Sequence, residues 1–319
     1  MMAITADEER MTNMKKMLLI INPRSGRCKG MKKLGEIVRI AQSRDYLPTV
    51  LITGKAGDAR DFARDLGGTA DLVACVGGDG TFSEVVAGMI DGGHTTPLGY
   101  IPAGSTNDYA ASLGLAKKME TAAQDMFDGV EKTFDAGRQN GQSFTYVTAF
   151  GMPAKASYGA PQKLKNLLGH FAYILEGIRD LHTLKAEHAR ITVDDEVLEG
   201  DYLMGTISNT TSIGGILQFN PDDVLLNDGY LELMLVAKPS SLGELSALVG
   251  AITKKRYTDC ACITFRKSKH IRIDADDPMP WTIDGEYMPD GREAEVEAVP
   301  AAIRVMVPAV SRRKKGKKD

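Results

Sequence analysis

The first 130 residues alternate short apolar runs with helical patterns, and no other feature of the chain limits its fold so strongly. Met17 to Ile21, Thr49 to Ile52, Leu72 to Val76 and Pro97 to Ile101 read as strands. They are mostly continuous apolar runs rather than in-and-out alternations, as expected of strands buried on both faces of a parallel sheet. Between them, Met31 to Ser43, Asp58 to Leu66, Phe82 to Ile90 and Met119 to Phe127 read as helices. The last three are led in by acidic, Thr or similar residues suited to a first turn. An open α/β domain covering residues 1–130 is the economical reading.

After residue 130 the pattern changes. Ser143 to Thr148, Ala189 to Val193, Tyr202 to Ile207, Tyr230 to Val236, Cys262 to Phe265 and His270 to Ile273 read as strands, with hairpin turns at Asn140-Gly141 and Asp194-Asp195. A β-rich, sandwich-like second domain over residues 131–310 is predicted, interrupted by two helical stretches, its last strand free to return to the first domain. In one of those stretches Leu164, Leu167, Leu168, Phe171, Ile174, Leu175, Ile178 and Leu181 form a helical apolar face, suited to packing on the domain or to a lid or membrane contact. The chain has no internal repeat and no low-complexity linker.

Composition removes several function classes. With 319 residues, 43% of them hydrophobic, the chain can bury two cores without staples. Cys28, Cys75, Cys260 and Cys262 are too few for a disulfide framework and lack zinc-site spacing, which points to a reducing cytoplasm. His94, His170, His182, His188 and His270 form no HExxH pattern. The apolar run after Lys15 and Lys16 stops at Asn22-Pro23, short of a signal peptide's core. No run reaches the ~18 apolar residues of a membrane span, so membrane contact is expected to be peripheral. A formal charge of -3 argues against nucleic acid. That sum hides a basic tail, since Ser311 to Asp319 hold six Lys and Arg against one Asp.

Three loops follow predicted strands: Asn22-Pro23-Arg24-Ser25-Gly26, Gly77-Gly78-Asp79-Gly80-Thr81 and Pro102-Ala103-Gly104-Ser105-Thr106-Asn107-Asp108. Ligands of open α/β sheets bind at such strand ends. Small residues there let backbone N–H groups approach a phosphate, and the next helix dipole favours the anion. Any one of these loops alone could be an ordinary turn; three at the ends of one sheet point to a phosphate ligand. The chain has neither a GxxxxGK[ST] loop nor an HRD catalytic loop, which excludes a P-loop enzyme and a protein kinase.

These residues resemble the bacterial lipid kinases that carry the diacylglycerol kinase catalytic domain. Asn22 to Gly26 correspond to that family's Asn-Pro-x-Ser-Gly, Gly77 to Thr81 to its GGDGT loop, Pro102 to Asp108 to its Pro-x-Gly-Thr-x-Asn-Asp, and Asp284-Gly285-Glu286 to its Asp-Gly-Glu. GGDGT alone also occurs in NAD kinases and phosphofructokinases, so the order of all four carries the resemblance. It implies transfer of the ATP γ-phosphoryl group to a lipid hydroxyl, with Mg²⁺, in a cleft between the two domains. It assigns Asn22, Pro23, Arg24, Ser25, Gly26, Thr53, Gly77, Gly78, Asp79, Gly80, Thr81, Glu84, Ser105, Asn107 and Asp108 to ATP. Asp79 and Asp108 would lie near the metal-bound phosphates, and Asp284 and Glu286 would be catalytic, Glu286 as general base. A structural Mg²⁺ is implied at Leu225, Asp228 and Tyr230.

Without the other motifs, Asp284-Gly285 and Asn227-Asp228-Gly229 read as plain turns. Two departures stand out: Ser105 where the family has Thr, and Asp222-Asp223 after Pro221. Two other readings stay open. An NAD-kinase-like enzyme would share GGDGT, although the first and last motifs favour a lipid. A silent ATP- or lipid-binding regulator would have no use for Glu286. The tail suits a peripheral contact with an anionic membrane, and a free edge strand leaves room for a homodimer.

Overall fold

The computed structural model describes residues 13–152, 184–213, 217–218 and 224–309. The stretch from Leu164 to Leu181, the Asp222-Asp223 pair and the basic tail lie outside the described residues. The chain divides into two compact units, Met1–Phe134 with Ala302–Asp319, and Asp135–Ala301.

The first unit runs β1 (Lys15–Ile21), α1 (Lys29–Gln42), β2 (Tyr46–Ile52), α2 (Asp58–Leu66), β3 (Leu72–Gly77), α3 (Asp79–Asp91), β4 (Leu98–Pro102), α4 (Asp108–Ser112) and α5 (Met119–Asp128). β1 pairs in parallel with β2 and β3, and β3 with β4. The chain's last strand joins β4, with Val305 opposite Leu98. Every residue of β3 and β4 is buried, which is why both read as continuous apolar runs. Met17, Leu19 and Ile21 alternate onto one face of the sheet, in a core with Ile37 and Ala41 of α1 and Met119, Ala122 and Met126 of α5. Because all these strands run the same way, their C-terminal ends line up, and the loops after β1, β2, β3 and β4 share one edge of the sheet.

The remaining elements are β5 (Val130–Gln139), β6 (Gln142–Phe144), β7 (Val147–Gly151), β8 (Glu187–Val193), β9 (Glu196–Ser208), the short pair β10 (Ser212–Ile213) and β11 (Leu217–Gln218), β12 (Leu231–Ala237), α6 (Leu242–Lys254), β13 (Ile263–Ser268), β14 (His270–Ile283) and β15 (Glu286–Val307). The unit boundaries fall inside β5 and β15. In the second unit the pairings are antiparallel. β9 and β14 each pair with β7 at one end and with β8 at the other, so the sheet folds back on itself. It encloses Phe144, Phe150, Ile191, Leu233, Ile271 and Trp281. Asn140 and Gly141, with φ of 48 and 83, make the tight turn between β5 and β6, and Asp194, with φ 50, begins the one between β8 and β9. β14 outruns its expected end at Ile273: it continues to Ile283 across register shifts between Asp274 and Met279 and between Met279 and Trp281, which accommodate Pro278 and Pro280 respectively.

Candidate active site

In the first unit the three small-residue loops interlock through specific contacts. The Asn22 side chain donates to Thr81 Oγ1 at 2.9 Å, and its Oδ1 accepts the Arg24 N–H at 3.0 Å, forming a turn fixed to the second loop. The Ala103 N–H donates to the Gly77 carbonyl at 2.7 Å. Gly26, with φ +55, lies so close to the third loop that a Cβ there would meet the Ala103 carbonyl oxygen at 1.9 Å. Thr53, buried after β2, donates its N–H to the Ile21 carbonyl at 3.0 Å and so abuts the first loop.

Asp79 ties the second loop to the third. Its Oδ2 accepts the Asp108 N–H at 2.9 Å, while Oδ1 accepts the Tyr109 N–H at 3.2 Å and the Tyr100 hydroxyl at 3.3 Å. The carboxylate thus sits at the start of α4, where its charge suits the exposed N–H groups. Asn107 enters α4 with φ 55 and donates its amide to the Gly104 carbonyl at 3.0 Å; its buried Oδ1 has no partner among the described residues. Ser105 is exposed and Asp108 is buried. Glu84, on α3, accepts the Ala59 N–H at 3.2 Å and so engages the first turn of α2.

The charge beside these loops is positive. α1 begins after Cys28, which has φ 65 and provides no side-chain cap, and its first turn carries no acid. Lys29 and Lys32 stand there instead, with Arg24 and Arg27 just before. A helix start normally attracts acidic side chains, so this one, with none in its own first turn, is suited to an anion. Cys75, buried in β3, has its thiol pushed well above the usual range by burial, which makes it a poor nucleophile.

In the second unit Asp284 and Gly285, with φ of 48 and 87, form the two-residue turn between β14 and β15. Asp284 is 7% exposed, and its carboxylate is engaged on both oxygens. It accepts N–H groups from Thr145 at 2.8 Å and from Tyr146 and Val147 at 3.0 Å, while the Tyr146 hydroxyl donates to its carbonyl. Asp284 therefore braces the turn. Glu286, first residue of β15, is exposed opposite Ile283.

The residues expected around a structural Mg²⁺ are arranged differently. Asp228 Oδ1 accepts the Tyr230 N–H at 3.1 Å, and Oδ2 lies 3.1 Å from the Lys267 ammonium, which also reaches Glu232 Oε1 at 3.3 Å. Gly229 is fixed by its N–H donating to Asp135 at 2.6 Å. Mg²⁺ requires near-octahedral oxygen ligation; here the single carboxylate of the expected set is already paired with an ammonium. Asp228 therefore offers a divalent cation little uncompensated charge. Among the described residues no group of three or more His, Cys, Asp or Glu side chains could hold a metal. The loops of the first unit are a better match in donor type, since Asp79, Asp108 and the unpartnered Asn107 Oδ1 are the hard oxygens Mg²⁺ prefers when phosphate supplies the rest.

Comparison with known proteins gives this arrangement a family. Residues 16–139 match the model of the diacylglycerol kinase catalytic domain, and residues 146–307 that of the YegS C-terminal NAD kinase beta sandwich-like domain. A Bacillus subtilis protein named diacylglycerol kinase is 32% identical over 86% of this chain and 90% of its own length. The chain belongs to the diacylglycerol kinase family. A Staphylococcus aureus diacylglycerol kinase is 31% identical over 86% of each chain. A crystal structure from Bacillus anthracis, provisionally described as a diacylglycerol kinase, superposes with a TM-score of 0.78 at 27% identity, covering 93% of this chain and 96% of its own. The expected α/β domain followed by a β-sandwich-like domain is thereby borne out, and the chain is a kinase acting on an alcohol group of a lipid.

Sequence reasoning missed the partners that hold these residues. Tyr100 lies inside β4, where it reads as core, and Thr145 to Val147 precede Asp284 by more than a hundred positions. Lys267 faces Glu232 across β13 and β12, an opposite-charge pair visible only once the register is known.

Proposed function

We propose that the chain transfers the γ-phosphoryl group of ATP to the free hydroxyl of diacylglycerol, yielding ADP and phosphatidic acid. The observation that supports this most is the meeting of three small-residue loops around Asp79, beside a cationic helix start without a cap. In this reading Asn22 to Gly26, Thr53, Gly77 to Thr81, Glu84, Ser105 and Asn107 hold the nucleotide. Mg²⁺ would be held by Asp79 and Asp108 and would neutralise charge on the phosphates. Lys29 and Lys32 add a field for the triphosphate. Glu286 takes the proton of the lipid hydroxyl as its oxygen bonds to the γ-phosphorus and the bond to the β-phosphate oxygen breaks. A well-placed base contributes about 10² to 10⁴ in rate. Asp284 positions Glu286 through the turn.

The test is incubation with labelled ATP, Mg²⁺ and mixed micelles of diacylglycerol, phosphatidylglycerol, a polyprenol or a sphingoid base, with NAD in parallel because the second domain's family description includes NAD kinase. Label is expected in diacylglycerol. Label in NAD alone would replace this reading with an NAD-kinase-like one, and ATP binding without labelling would replace it with a regulator. The six basic residues from Ser311 to Asp319 support residence on the inner face of the membrane, each adding about 1 kcal/mol near anionic lipid. Ending the chain at Val310 should then lower activity on anionic vesicles but not on detergent micelles; equal losses, or none, would remove the tail from this role. Four free cysteines agree with a reducing compartment.

A further inference from the structure

A pocket of about 290 Å³ opens in the second unit between the β5–β6 turn and the β14–β15 hairpin. Its walls include Gln139, Trp281, Ile283, Met288, Asp290 and Glu293. Trp281 and Met288 are opposite one another in the hairpin, as are Ile283 and Glu286. Side chains alternate faces along a strand and directly opposed residues share one. Glu286 therefore lies on the pocket's face of the hairpin, one step along from Trp281 and Met288.

The lining combines a small apolar floor with the neutral amides of Gln139, Asn140 and Gln142 and with acidic groups. Trp281 is 2% exposed and its indole N–H has no partner among the described residues, so the floor offers an unanswered buried donor. Asp290 and Glu293 contribute two carboxylates, and among the described residues no lysine or arginine lines the pocket. Asp290 accepts the Tyr287 hydroxyl. Glu293 lies 3.5 Å from Arg272, but that guanidinium is committed to Asp274 at 2.7 Å. At the small end of ligand pockets, the volume suits a glycerol moiety with the first carbons of its chains, and not two whole acyl chains.

We infer that this pocket receives the uncharged polar end of the acceptor lipid, and that Asp290 and Glu293 exclude molecules already carrying a phosphate. The inference rests on the proposal that Glu286 serves a lipid hydroxyl. Specificity here comes from repulsion of the wrong ligand as much as from attraction of the right one. The same carboxylates repel the product once the phosphoryl group is on it, which favours release over a second binding.

Trp281 is the chain's single tryptophan, so its emission reports on the pocket without any phosphoryl transfer. Titration of the full chain, in the absence of ATP, with dihexanoylglycerol should shift that emission saturably. Dihexanoylphosphatidic acid should bind at least ~10-fold more weakly. In the Asp290→Asn, Glu293→Gln double variant this preference should shrink ~10-fold or more, and Glu293→Gln alone should shrink it partly. No saturable response to dihexanoylglycerol, or an unchanged preference in the variants, overturns the inference. Either result alongside intact labelling of diacylglycerol rejects the pocket alone, whereas a saturable response in a chain that labels only NAD leaves a lipid-binding pocket but rejects both its role for an acceptor and the phosphoryl-transfer reading.

Discussion

Asp284 and Glu286 stand two positions apart in one turn and carry different burdens. Asp284 satisfies three buried N–H groups, whereas Glu286 is exposed. A buried donor left without a partner costs about 1 to 3 kcal/mol. Asp284→Ala should therefore lower stability in urea by about 3 kcal/mol or more. Glu286→Gln should change stability by less than about 0.5 kcal/mol yet reduce turnover ~10² to 10⁴-fold. Parallel unfolding and rate measurements separate the two roles; an unaltered rate in Glu286→Gln would exclude the assigned base. Glu232 gives a pH signature of its own. Burial, working against Lys267, pushes its carboxyl up to about 7, whereas in the unfolded chain it titrates near ~4.3. Between those values the folded state binds more protons, so stability from this group falls as pH rises. Glu232→Gln should flatten the decline in urea midpoint between pH 5 and 8, and an unchanged decline would acquit Glu232. The Asp-Gly turn could be read from two letters because φ above zero suits those residues; the three donors that make Asp284 a brace are remote in sequence.

At the level of elements, the loops depend on glycine for two separable reasons. At Gly26 the backbone has φ +55 and a Cβ would meet the Ala103 oxygen at 1.9 Å, so Gly26→Ala must part the first loop from the third, at about 1 to 3 kcal/mol. At Gly80, inside the first turn of α3, nothing lies within 4 Å of a Cβ, and Ala there should raise helix stability by about 0.5 to 1 kcal/mol. If the loop cradles phosphate, that same methyl group obstructs the ligand. Gly80→Ala is thus expected to melt higher than the parent while its KM for ATP rises about tenfold or more; a higher melting temperature with unchanged KM would move the phosphates elsewhere. The parallel strands were legible because burial on both faces leaves continuous apolar runs. β15 was much harder to read: Glu293, Glu295 and Glu297 alternate with Ala294 and Val296, and Glu, Ala and Gly are poor strand formers that pair here because β14 supplies the partner. α4, only five residues long, has too little periodicity to detect and is fixed instead by Asp79.

For the molecule as a whole, the chain leaves its first unit after Phe134 and re-enters it at Ala302. The first unit is therefore incomplete without its last strand, whereas the second is one continuous segment. Val305 is fully buried, Ile303 and Val307 nearly so, and Arg304 adds hydrogen bonds to the Thr95 carbonyl and an ion pair with Glu131. Removing three buried side chains of this kind costs about 5 kcal/mol or more, comparable with the whole stability of many domains. A chain ending at Ala301 should lose amide protection in β3 and β4 and lose ATP binding. The core of the second unit, from Phe144 to Val296, lies wholly within residues 135–301. That segment, expressed alone, should keep a cooperative urea transition in Trp281 emission. The two experiments bear on one idea from opposite sides: persistence of protection in the shortened chain, or a gradual transition in the isolated segment, would mean that the units do not hold separate cores and that the kinase folds as one cooperative body.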